Sequence, residues 1–292
     1  MSNPGILILP GNHDDPAVRQ RHILGRQPGL GRRRRGNVQP ATRFRPQDPT
    51  LTPEAHFPLQ NVGAIDRRFP RFINRFDSRE MLLVIDGSWL NNGSKEIEPA
   101  AGSSFKFKDP PCGSSASTIA FPFSSEPGLP MQGDVGGVVA FPMEERGPKG
   151  DVVDHTSNRA KLRAVIAALQ FRPWAEEGWH RVVILTDLEY IVHGATALLP
   201  TWVDRGWKKR RRGRNAGSRQ YANRDLWEEL QHCIDELREQ RCQVSFWLVN
   251  GRDARQSRYI ANTKDAAKRA AKQREDDSML REEFTRLCGI MM

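Results

Sequence analysis

The apolar pattern of this chain becomes regular only after about residue 80. Met81, Leu82, Leu83, Val84 and Ile85 form an unbroken apolar run closed by Asp86-Gly87-Ser88, which predicts a buried strand running into a turn. Residues 136–141 predict a second strand, and residues 151–153 a short third. Thr156, Ser157 and Asn158 then offer cap chemistry, and Leu162, Val165, Ile166 and Leu169 recur at helical spacing up to a stop before Pro173. The β-branched stretch 181–185 predicts a strand ending in Thr186-Asp187, followed by a helix through Tyr190, Ile191 and Gly194. Asn223-Arg224-Asp225 opens an amphipathic helix with Leu226, Leu230, Ile234 and Leu237 on one face. Residues 244–249 predict a last strand, and an Ala- and Lys-rich helix runs on from Asn262. The order predicts an α/β fold, a mixed five-stranded sheet flanked by helices.

What lacks this periodicity sets the domain limits. Residues 1–79 are rich in Pro, Gly and Arg and are expected to be a disordered tail, dispensable for folding. Residues 94–132 are rich in Ser, Pro and Gly and are expected to be a long insertion. The ordered domain is therefore expected over 80–273, with 274–292 as a C-terminal extension.

Charge and cysteine usage narrow the partners. The net charge of +10 favours polyanions, nucleic acid above all, although much of the excess sits in the first 80 residues, including Arg32–Arg35. The longest strongly apolar run, 81–85, is far too short to span a bilayer, and no membrane association is expected. No basic residues precede the apolar residues 5–10, so a secretory signal is not expected. Cys112, Cys233, Cys242 and Cys288 form no Cys-x-x-Cys pair, which fits reduced thiols in an intracellular protein, nuclear or cytoplasmic. A monomer is expected.

Three carboxylates stand where elements end or begin: Asp86, Asp187 and Asp265. Each alone is ordinary turn or cap chemistry. Carboxylates that converge from separate elements suit hard divalent cations. Two such ions about 4 Å apart can activate water and stabilise the leaving oxygen of a phosphodiester.

The stretches Ile85-Asp86-Gly87-Ser88, Thr156-Ser157-Asn158-Arg159-Ala160-Lys161-Leu162, Leu185-Thr186-Asp187, Asn223-Arg224-Asp225-Leu226-Trp227 and Phe246-Trp247-Leu248-Val249 occur in this order. The chain thereby resembles the type 1 ribonuclease H family, its divergent fungal-type members most of all, over about two thirds of its length. The resemblance implies the ribonuclease H-like fold and endonucleolytic hydrolysis of the RNA strand of RNA–DNA hybrids. It implies two Mg²⁺ ions, with Mn²⁺ as a substitute, held by four carboxylates. Asp86 and Asp187 match two of these. Asp265 is matched to a third across a segment one residue short. The position of the expected glutamate holds Lys161, so the resemblance equally implies impaired catalysis, or a catalytically inactive nucleic-acid-binding domain of the same fold.

An ammonium in that place is a swing of two charge units. Two unit charges 4 Å apart interact by roughly 4 kcal/mol at an effective dielectric of about 20, so weaker metal occupancy is expected. Glu189 and Asp154 are the other carboxylates near enough in sequence to be considered as replacements. Where the family has a loop that assists product release, residues 250–258 are expected to form a longer, basic loop, in which Arg252 and Arg258 are candidates for that role. Trp207 and the run Lys208, Lys209, Arg210, Arg211 and Arg212 lie where some members carry a basic protrusion that grips the hybrid. With Asn158 they are the expected nucleic-acid contacts.

Overall fold

A computed structural model describes residues 40–61, 70–90, 100–109, 119–120, 137–208, 221–272 and 282–287. Its centre is five strands: β4 (Asp77–Leu90), β5 (Ala100–Lys106), β7 (Val138–Pro142), β8 (Arg181–Thr186) and β9 (Gln243–Leu248). They lie in the order β7-β5-β4-β8-β9, with β4–β5 and β5–β7 antiparallel and β4–β8 and β8–β9 parallel. This is the expected mixed five-stranded sheet. It is extended by β1 (Thr42–Arg43) alongside β9, β6 (Ile119–Ala120) alongside β7, and a hairpin of β2 (Leu59–Asn61) and β3 (Pro70–Asn74) on the first part of β4.

The unbroken apolar run of β4 follows from burial of both faces. Met81, Leu83 and Ile85 pack in the core under α2 (Ser157–Gln170) and α5 (Arg224–Glu239). Leu82 and Val84 pack on the other side with Tyr259 and Ile260 of α7 (Arg258–Lys272). Between these long helices lie α1 (Pro53–His56), α3 (Glu189–His193), a π-helical turn (Gly194–Leu198), α4 (Leu199–Asp204) and α6 (Gly251–Gln256).

Four sequence expectations need correction. The second strand is β5, inside the stretch read as an insertion. Its small residues fit a strand pressed between two helices: a Cβ on Gly102 would lie 2.4 Å from the Ala267 carbonyl oxygen and from the Ala271 nitrogen. Ser103 Oγ donates to the Ala160 carbonyl at 2.8 Å and Ser104 Oγ to the Thr263 carbonyl at 2.6 Å. Close approach has replaced apolar alternation there. Residues 151–153 are not a strand, and only Val152 bridges to Arg146. Residues 250–258, expected as a loop, form α6 and the start of α7, capped by Asn250.

The fourth correction concerns the tail. Residues 40–61 and 70–79 are built into the fold. Phe44, Phe57 and Phe72 are buried against Leu82, Val84 and Trp247. Glu54 accepts from Ser257 Oγ at 2.6 Å and from the Tyr259 amide at 3.1 Å, so α1 caps the start of α7. Arg71, 1% exposed, holds Glu177. Each short piece buries one or two aromatics, too few for a periodic signal. Part of the C-terminal extension is docked as well: Leu287 is buried in the main core, and Arg163 donates to the Thr285 carbonyl at 2.8 Å. Residues 1–39, and the rest of the expected insertion and extension, lie outside the described residues. Cys233 and Cys242 are free and buried. Burial pushes both thiols up, Cys242 to about 12. Among the described residues no helix is long and apolar enough to cross a membrane.

Candidate functional site

Asp86 stands in β4 directly before Gly87. A Cβ on Gly87 would lie 2.4 Å from the Lys161 nitrogen and 2.6 Å from the Ala160 carbonyl carbon. Only glycine lets the first turn of α2 come this close to the strand. That approach brings Lys161 onto the carboxylates. Thr156 caps α2, its side chain accepting from the Arg159 amide at 3.1 Å, which fixes where the first turn begins. Parallel pairing of β4 with β8 carries Asp187, one residue past the end of β8, to the same side.

The result is a charged triad. Lys161 Nζ lies 3.0 Å from Asp86 Oδ1 and 2.5 Å from Asp187 Oδ1, the side chains of Lys161 and Asp86 being 11% and 2% exposed. Asp86 Oδ1 also accepts from the Gly87 amide at 2.7 Å, while its buried Oδ2 has no partner among the described residues. Burial raises the Asp86 carboxyl above its ordinary value, against the opposing pull of the Lys161 charge. Burial would lower Lys161, but Asp86 and Asp187 outweigh it and hold the ammonium above its ordinary value. The lysine is thus kept protonated between the two acids.

Among the described residues the other expected site residues share no hydrogen bond or ion pair with the triad. Asp265 is exposed on α7, because Thr263, Ala266, Ala267 and Ala270 take the inward face. Among the described residues it shares no hydrogen bond or ion pair with Asp86, Lys161 or Asp187. Glu189 and Asp154 are exposed and do not join the triad. Asn158 is exposed in the first turn of α2. Trp207, at φ 61°, is half-buried against Trp202 and Tyr221, with the Arg224 guanidinium 5.4 Å above its ring. Lys208 is exposed, and Lys209, Arg210, Arg211 and Arg212 lie outside the described residues.

A second acidic group was not foreseen. Asp77, Glu80 and His180 can bring one ligand atom each within 4.8 Å of one another. No sequence motif marks it, since Asp77 and Glu80 of β4 meet His180, which lies about 100 residues further along the chain, just before β8. Glu80 and Asp86 are six residues apart on β4, about 20 Å along the strand. Glu80 is already held by Asn74 Nδ2 at 2.7 Å and by Arg181. This group is therefore remote from the triad.

Comparison with known proteins agrees with the fold. The family model described as RNase H matches residues 124–273, just over half of the chain. Ribonuclease H of Pelobacter propionicus is 34% identical over 105 residues, 35% of this chain and 57% of that protein. Ribonuclease HI of Pseudomonas aeruginosa is 33% identical over 124 residues, 42% of this chain and 74% of that protein. Among solved structures, LC9-RNase H1, a type 1 RNase H with the type 2 active-site motif, is 24% identical and aligns over 65% of this chain and 72% of that one. Its TM-score is 0.38.

Proposed function

Because this chain belongs to the ribonuclease H family, we propose that it is a ribonuclease H-like protein that binds RNA–DNA hybrid and has lost metal-dependent hydrolysis of the RNA strand. One observation carries this reading: the Lys161 ammonium bridges Asp86 and Asp187 at 3.0 and 2.5 Å.

The family generally uses divalent metal ions, and the residues of this triad do not fit one. Mg²⁺ requires near-octahedral oxygen ligation. Here the two convergent carboxylates already face a cation, and among the described residues Asp265 shares no hydrogen bond or ion pair with them. A divalent ion entering between Asp86 and Asp187 would have to expel the ammonium. If both stayed, each unit of positive charge about 4 Å away would oppose it by roughly 4 kcal/mol at an effective dielectric of about 20.

Binding needs no such ion. Hybrid is held chiefly through phosphate and sugar contacts. Trp207 and Lys208, leading into Lys209, Arg210, Arg211 and Arg212, together with Asn158, supply suitable donors at two points of the domain. The second reading, a working nuclease that uses Mg²⁺ or Mn²⁺, is favoured by the convergence of Asp86 and Asp187 alone.

Titration of a labelled RNA–DNA hybrid, followed by fluorescence anisotropy and by gel analysis of the RNA strand, separates the two. Equal affinity in EDTA and in Mg²⁺, with the RNA strand intact, is the expected result. Cleavage by the wild-type protein in Mg²⁺ or Mn²⁺, abolished in Asp86→Asn, would overturn the proposal.

A further inference from the structure

Helix α5 and the α6–α7 segment, on opposite faces of the sheet, carry opposite net charge. Val182 and Ile184 of β8 pack in the core beneath α5, and Val183 and Leu185 pack on the side of α7. On the first side, α5 has six acidic against two basic residues, a net of −4. On the other, residues 251–272 have seven basic against two acidic residues, a net of +5, equal to half of the chain's +10. All seven of these basic residues are exposed.

Within this face Lys264, Lys268 and Lys272 form a single row at four-residue spacing, about 12 Å long. Like charges at this spacing repel by a few tenths of a kcal/mol per pair. Among the described residues the row holds no acid, its preceding position being Ile260, and none of the three lysines makes an ion pair or side-chain hydrogen bond. On α5, by contrast, Arg224 is matched by Glu228 at the same spacing. Arg258 is partly neutralised by Asp109 at 3.4 Å, and Asp253 and Asp265 are the acids of the face itself.

We propose that the exposed face of α6 and α7, centred on Lys264, Lys268 and Lys272, is a second phosphate-binding surface for the backbone of a nucleic-acid duplex. It is separate from the 207–212 segment, and it rests on the reading that the chain binds nucleic acid. A duplex carries one negative charge per about 1.7 Å of axis, so the row faces several phosphates at once. Lipid headgroups share the anionic chemistry. A helix that lies on a membrane, however, also inserts Trp, Phe or Leu. The bulky apolar residues of α7, Tyr259 and Ile260, are turned inward, and the exposed positions beside the lysines are Ala261, Asn262, Asp265 and Arg269. Phosphate contacts carry no sequence information, so this surface contributes to hybrid and to duplex DNA alike.

The test is the triple variant Lys264→Gln, Lys268→Gln, Lys272→Gln in the full chain. Glutamine and lysine have similar helix propensity, and an unchanged melting curve verifies the fold. Affinity for duplex DNA and for RNA–DNA hybrid is measured between 50 and 200 mM KCl. Both should weaken roughly tenfold at the middle of this range, and the log–log salt slope for duplex DNA should become shallower by about 2.7, 0.9 for each lost phosphate contact. Wild-type binding that is intact but unchanged in slope in the variant would overturn the inference and leave the preceding reading standing. Failure of the wild-type protein to bind either duplex would overturn both. Binding to vesicles containing phosphatidylserine but not to duplexes, lost in the triple variant, would reassign the surface to membrane.

Discussion

The Arg159 guanidinium grips the Asp225 carboxylate with two hydrogen bonds, Nη1 to Oδ1 at 2.9 Å and Nη2 to Oδ2 at 2.5 Å. The pair ties the first turn of α2 to the first turn of α5, and it lies two residues from Lys161. Arg159 is 4% exposed and Asp225 17%. Removing one partner of such a pair leaves the other buried without compensation. Arg159→Ala should therefore destabilise the protein by about 3 kcal/mol in denaturant unfolding. Arg159→Met combined with Asp225→Leu should be less damaging than either single alanine variant. Equal losses would mean that packing, not charge, is what this contact supplies.

The same pair predicts an acid limit. Burial would raise the Asp225 carboxyl, but the Arg159 hydrogen bonds and charge outweigh it and hold it below its ordinary value of 3.8. Glu177 behaves alike: burial is outweighed by Arg71 and Arg172, and it sits below its ordinary 4.5. For acids depressed in the folded state, the stabilisation is present above the unfolded value and lost as pH falls through the folded one. Unfolding followed from pH 6 to pH 2 should show stability falling below about pH 4. The fall should be smaller in Asp225→Asn and in Glu177→Gln. An identical acid slope in both variants would assign the loss to other carboxylates.

Residues 40–79 are where the sequence was least legible, and they yield a direct test. Phe57 and Phe72 are fully buried, and each contributes up to about 3 kcal/mol by burial. Glu54 caps α7, and Arg71 anchors Glu177. Net stabilities of domains are only about 5–15 kcal/mol. A chain beginning at residue 80 should therefore melt at least 10 °C below one beginning at residue 40, or lose its cooperative transition. Matching melting curves would restore the view that these residues are a dispensable tail.

Legibility followed the way each element is stabilised. The runs of β4, β8 and β9 and the helical spacing of α2 and α5 could be read because their apolar side chains repeat. Strand β5 could not, because Gly102, Ser103 and Ser104 sit under helix backbones and must be small and hydrogen-bonded. Asp86, Lys161 and Asp187 were placed together by motif order, and Gly87 supplies the physical reason for their approach. Asp265 was matched by motif across a shortened segment, and it lies exposed on α7. The Asp77, Glu80 and His180 group, drawn from β4 and the residue before β8, left no local pattern at all.

The final prediction reverses the substitution at the triad. In Lys161→Glu the bridging ammonium is replaced by a third carboxylate beside Asp86 and Asp187, which turns a satisfied ion pair into a cluster of like charges. Without a divalent cation this variant should be less stable than wild type, because three acids would share a site where Asp86 is 2% exposed. Mg²⁺ should restore it. At a concentration one hundred times the dissociation constant, linkage stabilises the folded state by about 2.7 kcal/mol, enough to raise the melting temperature by several degrees. Wild-type melting should not respond to Mg²⁺, since Lys161 already occupies the position. The Mg²⁺ response of Lys161→Glu should vanish in Asp86→Asn and Asp187→Asn backgrounds, and any gain in hybrid cleavage should vanish with it. Lys161→Met provides the control that removes charge without adding a ligand; it should be destabilised, through the unpaired Asp86, and unresponsive to Mg²⁺. A wild-type melting temperature that rises with Mg²⁺ and is insensitive to Asp86→Asn would place the divalent ion elsewhere, with Asp77, Glu80 and His180 the first residues to substitute.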